Sequence, residues 1–132
     1  MKFMLDTNIC IYIIKRKPIE VFNRLNRIKI TQVCISSITM SELWYGVAKS
    51  SNPEQNQLAL TQFIAPIDIL TYDEEASYHY GLIRTHLEKN GTPIGSLDML
   101  IAAHARSIDC TVVTNNMKEF IRVPGLKIDN WV

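Results

Sequence analysis

The sequence lacks a long hydrophobic run, and this absence argues against an integral membrane protein. No uninterrupted apolar stretch reaches the ~18 residues that a membrane-spanning helix requires, so we expect no membrane partner. The N-terminal segment MKFMLDTN has only a short apolar run before Asp6 and is not expected to be a signal peptide. Repeats, linkers and low-complexity segments are also missing, and 132 residues predict a single domain, 1–132.

Cysteine is scarce, and its distribution argues against a disulfide framework. Cys10, Cys34 and Cys110 occur singly in apolar segments, with no Cys-x-x-Cys spacing. Isolated thiols of this kind are typical of buried cysteines in a reducing compartment, rather than of metal or disulfide sites. We therefore expect a cytoplasmic protein with three free thiols.

The chain has almost no net charge, but its charges are unevenly distributed. The total is +1 at pH 7. Residues 1–30 carry seven basic and two acidic residues (net +5), whereas residues 31–132 carry seven basic and eleven acidic residues (net −4). A basic lobe beside an acidic region suits a polyanionic substrate. Alternatively, Lys15, Arg16 and Lys17 form a solvated helix end that complements the helix dipole, and the two interpretations are compatible.

Strand-like and helix-like segments alternate along the chain. Apolar or β-branched runs predict strands at KFML, QVCIS, IDILTY and CTVVTNN, with LKI as a further edge strand. The segments between them predict helices, with breaks at Pro18, Pro53, Pro66 and Gly91. This order predicts an α/β fold with a mainly parallel sheet of four to five strands, covered by helices on both faces.

Three carboxylates lie where a predicted strand or loop gives way to a helix. They are Asp6 in FMLDTN, Glu42 in ITMSELWYG and Asp98 in PIGSLDMLIAAHA. Because the carboxyl ends of parallel strands share one edge of a sheet, we expect these acids to meet there. Carboxylates ~4 Å apart repel by several kcal/mol at a protein-like dielectric. A hard divalent cation such as Mg²⁺ prefers oxygen ligands and would relieve that repulsion, which predicts a metal-dependent phosphodiesterase.

Each acid also has an ordinary structural interpretation. Asp6 is a favoured N-cap residue. The segment from Thr39 to Glu42 matches the capping box S/T-x-x-E, in which the glutamate bonds the start of the helix. Asp98 lies in a first helical turn, where a surface acid complements the dipole. The shared edge, rather than any single acid, favours the metal site.

Four strings occur here in the order found in one protein family. They are LDTN with an apolar continuation, S-x-x-T-x-x-E-L-x-x-G, PIG-x-x-D-x-x-I-A-x-HA and VTNN-x-x-EF. Together they resemble the PIN-domain ribonucleases, specifically the VapC-like toxins of bacterial toxin–antitoxin pairs, over essentially the whole chain. The resemblance implies a PIN-like three-layer α/β/α sandwich.

The resemblance also implies the composition of a metal site. Asp6, Glu42 and Asp98 match the family's metal-binding acids, which would hold Mg²⁺, with Mn²⁺ as a substitute. Asn116 stands where many relatives place Asp. Glu119 matches an acidic position on the following turn and would supply the missing charge, so both are expected in the catalytic set.

Three further polar residues are expected to support this site. Thr114 matches a polar position after the fourth strand of the family. Thr7 and Asn8 follow Asp6 directly and are candidates for orienting ligands or water through hydrogen bonds. Asn8 is equally well explained as a residue of the helix start.

An activity and a set of partners follow from the same resemblance. It implies a toxin that hydrolyses RNA phosphodiester bonds, with tRNA as the expected target, and so inhibits translation and growth. The products would be a 5′-phosphate and a 3′-hydroxyl, with the metal polarising a phosphoryl oxygen and lowering the pKa of a water. The implied partners are a second copy of the chain, a cognate VapB-like antitoxin, and operator DNA through that antitoxin only.

Other functions fit the residues less well. An aspartyl-phosphate hydrolase would need a second Asp at Asn8. A receiver-like signalling domain would also bind Mg²⁺ but would want a Lys after the last core strand, where Thr114 to Asn116 stand instead. The presence of all three acids argues against a catalytically silent metal-binding module.

The remaining candidate residues are histidines and aromatics. His79, His86 and His104 have no ligand partners at suitable spacing, so structural or surface positions are expected. Trp44 and Tyr45 suit a core or a dimer interface better than a nucleobase platform.

Overall fold

A five-stranded parallel sheet forms the centre of the protein in a computed structural model, which describes residues 2–132. The strands are β1 (Phe3–Leu5), β2 (Val33–Ser36), β3 (Asp68–Leu70), β4 (Thr111–Val113) and β5 (Lys127–Asp129). Their order is β3-β2-β1-β4-β5, and every neighbouring pair is parallel. The predicted parallel sheet is confirmed, with LKI contributing to the fifth strand.

Seven helices connect the strands within the described residues. They are α1 (Thr7–Lys15), α2 (Ile19–Asn26), α3 (Ser37–Lys49), α4 (Pro53–Ile64), α5 (Glu74–Lys89), α6 (Ser96–Ser107) and α7 (Met117–Phe120). A short 3-10 turn, Ile30–Gln32, precedes β2. In the described part of the chain, none of these helices has the length and apolar character needed to cross a bilayer.

The sheet separates two hydrophobic cores, which confirms the three-layer arrangement. On one face, Met4 and Val112 pack with buried residues of α5, α6 and α7. On the other face, Leu5, Val33 and Val113 pack with residues of α1 to α4. Alternate residues of a strand point to opposite faces, so the three inner strands β1, β2 and β4 contribute to both cores.

The sheet order places a crevice beside the central strand. From β1 the chain proceeds to β2 on one side, and it later returns to β4 on the other side. Leu5 is in register with Val113, and the Asp6 N–H donates to the Val113 carbonyl over 3.0 Å. The residues that follow β1 and β4 are therefore neighbours at a topological switch point, where ligands of parallel sheets bind.

The cysteines and two of the histidines have structural environments. All three cysteines are free and buried, as predicted. His79 accepts a hydrogen bond from Arg106 Nε over 2.9 Å, and His86 is exposed beside Asn90. Neither histidine contributes to the cavity at the carboxyl edge of the sheet.

His104 joins α6 to the start of α3. It is 2% exposed, and its Nδ1 lies 2.7 Å from Ser36 Oγ, which also accepts the Ile38 N–H over 3.1 Å. Tyr72 meets the imidazole edge-on. The expected structural position of His104 is confirmed. Because α3 carries Glu42 and α6 carries Asp98, this contact fixes the relative position of the two acid-bearing helices.

Replacing His104 with Asn should change both the stability and its pH dependence. Burial lowers the pKa of His104. A group with a lowered folded-state pKa contributes stability above its unfolded pKa near 6.5, and that stability is lost as the pH falls. We expect thermal melts of the variant to show a loss of about 1–3 kcal/mol at pH 7.5, with a shallower decline towards pH 5. His86→Asn, at an exposed position, should keep the wild-type profile, and equal slopes for wild type and His104→Asn would contradict the assignment.

Candidate active site

An acidic cavity of about 370 Å³ opens at the carboxyl edge of the sheet. Its walls come from the start of α1, from α3 and from the first turns of α6. The polar lining residues are Asp6, Thr7, Asn8, Glu42, Ser96 and Asp98, with the Gly95 backbone beside them. The three predicted acids thus face one cavity, although they are far apart in the sequence.

Asp6 is a helix cap and a cavity residue at the same time. Its Oδ1 accepts the Ile9 N–H over 2.9 Å at the start of α1. The side chain is 4% exposed, and burial raises its pKa, while hydrogen bonds from Thr114 and from the backbone of Ile9 and Asn8 act in the opposite direction. Asp6 therefore caps α1 and also faces the cavity, so both interpretations are correct for this residue.

Glu42 does not occupy the capping-box position. Helix α3 begins at Ser37, and its N-cap is Ser36, whose Oγ accepts the Ile38 N–H. Thr39 therefore lies inside the first turn, and Glu42 lies in the second turn, beyond the reach of the helix start. The capping-box interpretation is wrong, and the half-buried Glu42 side chain faces the cavity instead.

Asp98 belongs to a hydrogen-bonded group of three side chains. The amide of Asn116 donates to Asp98 Oδ2 over 3.1 Å and to Glu119 Oε2. Glu119 Oε1 in turn accepts the Gly95 N–H over 3.0 Å. The group joins α7 to the start of α6, so Asp98 is more than a surface acid at a helix dipole.

The supporting polar residues lie around the first acid. The Thr114 side chain hydrogen-bonds Asp6, and its Oγ1 accepts the Asn116 N–H over 2.8 Å. Thr7 and Asn8 line the cavity mouth, where Asn8 is exposed and Thr7 is partly buried. Thr114 thereby links Asp6 to the Asn116 group.

Sequence reasoning missed one contributor to this site. The Gly95 amide, which holds Glu119, was not identified, although the PIG string before α6 marks its position. Trp44 and Tyr45 are both exposed, and Tyr45 is 61% exposed, so of their two expected positions the core is wrong and the dimer interface stays a prediction. Lys49 lies over the Tyr45 ring at 4.8 Å.

The chain matches a family model described as the PIN domain over residues 3–126. It is 48% identical over 131 residues to the tRNA(fMet)-specific endonuclease VapC of Salmonella typhimurium, covering 99% of this chain and 98% of the relative. It is 46% identical over 132 residues to ribonuclease VapC2 of Haemophilus influenzae, covering 100% and 99% of the two chains.

The chain belongs to the VapC family of PIN-domain ribonucleases.

Solved structures of the VapC family share the whole fold. The chain superimposes on VapBC from Salmonella typhimurium, solved bound to DNA, with a TM-score of 0.94 at 48% identity, covering 100% of this chain and 99% of that one. It superimposes on VapBC2 from Rickettsia felis, solved with a promoter DNA fragment, with a TM-score of 0.93 at 43% identity and full coverage of both chains. The protein is an endoribonuclease and the toxin component of a toxin–antitoxin pair.

PIN-domain ribonucleases generally use a divalent metal, and the side chains of this VapC chain fit one. Among residues 2–132 no three His, Cys, Asp or Glu side chains form a ready-made ligand cluster. The acids around the cavity nevertheless supply hard oxygen donors, and none of them appears in the ion pairs of the described chain. Mg²⁺ usually keeps several waters and binds through one or two carboxylates, so acids spaced around a cavity suit it.

The neighbouring carboxyl groups of Asp98 and Glu119 shift each other's pKa in opposite directions in the metal-free site. Burial and the adjacent Glu119 carboxylate raise the pKa of Asp98 to about 7. The hydrogen bond with Asp98 lowers the pKa of Glu119, which also accepts from Gly95 and Asn116. Of the two groups, Asp98 therefore binds a proton more readily, because its side chain is the more buried. Binding of a divalent cation would displace that proton.

Replacing Asp98 with Asn should remove a pH-dependent loss of stability. A carboxyl group with a raised folded-state pKa contributes stability below its unfolded value near 3.8, and that stability is lost as the pH rises through about 7. We therefore expect the melting temperature of Asp98→Asn, relative to that of the chelator-treated wild type, to rise between pH 5 and pH 8. The difference should be several degrees, at roughly 4 °C per kcal/mol for a domain of this size.

Two further measurements make this stability experiment decisive. Mg²⁺ should raise the melting temperature of the wild type at pH 8, because it binds only the folded state, but should have little effect on Asp98→Asn. Glu54→Gln removes an exposed carboxylate of α4 and should behave as wild type. If Asp98→Asn melted below wild type at every pH, Asp98 would act only as a dipole-matching residue of α6.

Proposed function

We propose that the protein is a Mg²⁺-dependent endoribonuclease that cleaves tRNA(fMet) in the cytoplasm. The observation that carries the chemistry is the single cavity faced by Asp6, Glu42 and Asp98 at the carboxyl edge of the sheet. The substrate is supported by relatives from Salmonella typhimurium and Shigella flexneri, which are 48% and 49% identical and carry this specificity in their names. Three free thiols suit a reducing compartment.

In this proposal Asp6, Glu42 and Asp98 hold the cation. Mg²⁺, or Mn²⁺ in its place, would polarise the phosphoryl oxygen and make a water more acidic. The three acids extend from helices whose starts are fixed by backbone hydrogen bonds and by the two cores. Their positions therefore need little rearrangement when substrate enters, which is the requirement for electrostatic catalysis.

The remaining residues would position and orient these ligands. Asn116 and Glu119 hold the Asp98 carboxylate, and Glu119 is itself held by the Gly95 amide. Thr114 holds Asp6, while Thr7 and Asn8 lie where a phosphate or water would enter. Hydrolysis would add water across the P–O3′ bond, so the phosphate would stay on the 5′ end of the downstream fragment and the upstream fragment would end in a 3′-hydroxyl.

The size of the cavity favours an unpaired segment of RNA. About 370 Å³ accommodates one nucleotide and its phosphate, but not a duplex. Bases in single-stranded loops are unstacked and can be displaced towards a protein surface, whereas an A-form helix is rigid. A loop of tRNA, with the anticodon region as the first candidate, is therefore the expected cleavage site.

The proposed partners are a cognate VapB-like antitoxin and a second copy of the chain. Related VapBC complexes contain both proteins of the pair, and two of them contain DNA, so operator DNA is expected through the antitoxin. A largely apolar groove of about 290 Å³ between α1, α3 and α4 adjoins the cavity, and Glu42 lines both. An antitoxin segment in this groove would end next to the acids and block them.

Cleavage of purified tRNA tests the activity and its metal requirement directly. We expect the wild type to cut tRNA(fMet) with Mg²⁺ and to stop when the ion is chelated. Asp6→Asn and Asp98→Asn should each reduce the rate at least about 100-fold, because a lost ligand removes metal as well as charge. Both should remain folded by circular dichroism, because Asn caps α1 about as well as Asp6 does, and because Asp98→Asn removes a charge that destabilises the fold. Glu54→Gln is the matched control, and wild-type rates for Asp98→Asn would disprove the assigned site.

Substrate specificity is tested separately with an elongator tRNA. Under conditions in which tRNA(fMet) is cut at one position, elongator tRNA(Met) should remain intact. Mapping the new ends should show a 5′-phosphate and a 3′-hydroxyl. Equal cleavage of both tRNAs would leave the nuclease activity standing and refute the specificity.

Glu119→Gln should weaken metal binding rather than abolish RNA cleavage. The substitution keeps an oxygen acceptor for Gly95 but removes the charge that Asn116 bridges to Asp98. Loss of an outer partner of a metal ligand commonly costs 10–100-fold in affinity or activity. A Mg²⁺ titration of cleavage should therefore shift its midpoint upwards by about that factor, with the rate largely restored at saturation. A rate that stays low at every Mg²⁺ concentration would instead make Glu119 a direct participant.

A further inference from the structure

A run of three basic residues lies at the opposite end of α1 from the acidic cavity. We propose that this run, Lys15 to Lys17, called here the basic turn, binds the RNA backbone while the scissile phosphate occupies the cavity. The inference rests on the proposed function, because it concerns the substrate of the same site. It assigns a role to a surface that the proposed catalytic acids do not explain.

The basic turn is exposed and has no neutralising partner. Lys15, Arg16 and Lys17 are all exposed, and within residues 2–132 no carboxylate lies within ion-pair distance of them. Other basic residues of the same lobe do have partners. Lys2 pairs with Asp68 over 2.8 Å, and Arg24 approaches Asp129 at 3.5 Å. Positive charge at the turn is thus available to an external anion.

The conformation of Arg16 adds an independent observation. This residue caps α1 with φ 55°, in the left-handed region that favours glycine. This backbone conformation is unfavourable for arginine, so the presence of an arginine at this position is better explained by its side chain. The guanidinium lies over the Phe22 ring at 4.5 Å, which orders it at the surface. A guanidinium stacked on a ring can still donate to a phosphate through its edge.

The length of α1 sets the spacing between the two ends. Asp6 caps the first turn and Lys15 is the last residue, so the nine-residue helix spans about 14 Å. A stacked strand advances about 3.4 Å per phosphate, which places the basic turn about four nucleotides from the cavity. Lys15 and Glu42 line the same groove, and Glu42 also lines the cavity, so this groove borders both the basic turn and the cavity.

A helix dipole accounts for only part of this charge. The favourable interaction of cations with a helix C-terminus falls off within the last turn. It therefore explains Lys15, but not Lys17, which lies beyond the end of the helix. Arg27 and Lys29, also exposed, extend the positive charge of the lobe past α2. The accumulated charge favours a polyanion over a single dipole contact.

The test is the salt dependence of RNA binding, measured in the inactive Asp98→Asn protein. Fluorescence anisotropy with labelled tRNA(fMet), between about 50 and 200 mM salt, gives the slope of log affinity against log salt. Each lost phosphate contact lowers the steepness by about 0.7–0.9. Lys15→Gln with Lys17→Gln should therefore flatten the slope by about 1.4–1.8 and weaken binding several-fold. An unchanged slope would overturn the proposal.

Two matched variants separate RNA contacts from total charge and from stability. Lys89→Gln with Lys127→Gln also removes two exposed positive charges, at the end of α5 and at the start of β5, where Lys127 pairs with Asp109 over 3.0 Å. It should leave the slope within about 0.3 of the parent protein. Arg16→Gly restores the residue favoured at φ 55° and should keep the melting temperature close to that of the parent while weakening RNA binding. An equal loss in the distant double variant would refute a specific surface.

Further readouts distinguish this inference from the proposed function and from the antitoxin. Phosphate contacts carry no sequence information, so tRNA(fMet) and elongator tRNA(Met) should lose affinity equally. In the active protein the Lys15, Lys17 double variant should raise KM and leave kcat unchanged. If the wild type failed to cut tRNA(fMet) while the Lys15, Lys17 double variant still flattened the salt slope of binding, the result would support the RNA-binding surface and refute the proposed substrate. If the double variant lost antitoxin affinity alone, the basic turn would belong to the antitoxin and the inference would be wrong.

Discussion

Repulsion between carboxylates at one edge of the sheet is the constraint on which the rest of the structure depends. Asp6, Glu42 and Asp98 face one cavity, and burial together with the neighbouring carboxylates of Glu119 and Asp6 raises the pKa of Asp98. Such an arrangement lowers the stability of the metal-free fold. It persists because each acid is attached to a helix start that is fixed by other interactions. Two hydrophobic cores, one on each face of the sheet, supply that fixation.

The parallel sheet is what brings these helix starts together. Its strands have only three or four residues, and each of the first four, β1 to β4, leads to a helix at the same edge. Asp6 and Ser36 cap the helices that follow β1 and β2, and the bond from Ser36 to His104 ties α3 to α6. A cavity built on capped helix starts has little freedom to rearrange. That rigidity favours a site whose electrostatics are set before the substrate arrives.

Most of the fold could be predicted from the sequence, whereas the detail of the site could not. Alternating strand and helix patterns fix the parallel sheet, and a parallel sheet places the residues after its strands at one edge. The capping-box interpretation of Glu42 failed because β2 passes into α3 without a loop, so the true cap, Ser36, is also a strand residue. The Asn116 bridge and the Ser36–His104 contact join residues 18 and 68 positions apart. Local patterns carry no information on such pairs.

A net charge of +1 conceals two opposed surfaces, and RNA cleavage needs both of them. An acidic cavity alone would repel a phosphodiester, and the approach of RNA would cost most at low salt, where screening is weakest. A cation in the cavity would make the electrostatic potential positive there, but only within a few ångströms of the cation. A positive surface elsewhere must therefore draw the polyanion in. Helix α1 connects the two, with Asp6 at its start and Lys15 at its end, so one short element sets the distance between capture and cleavage.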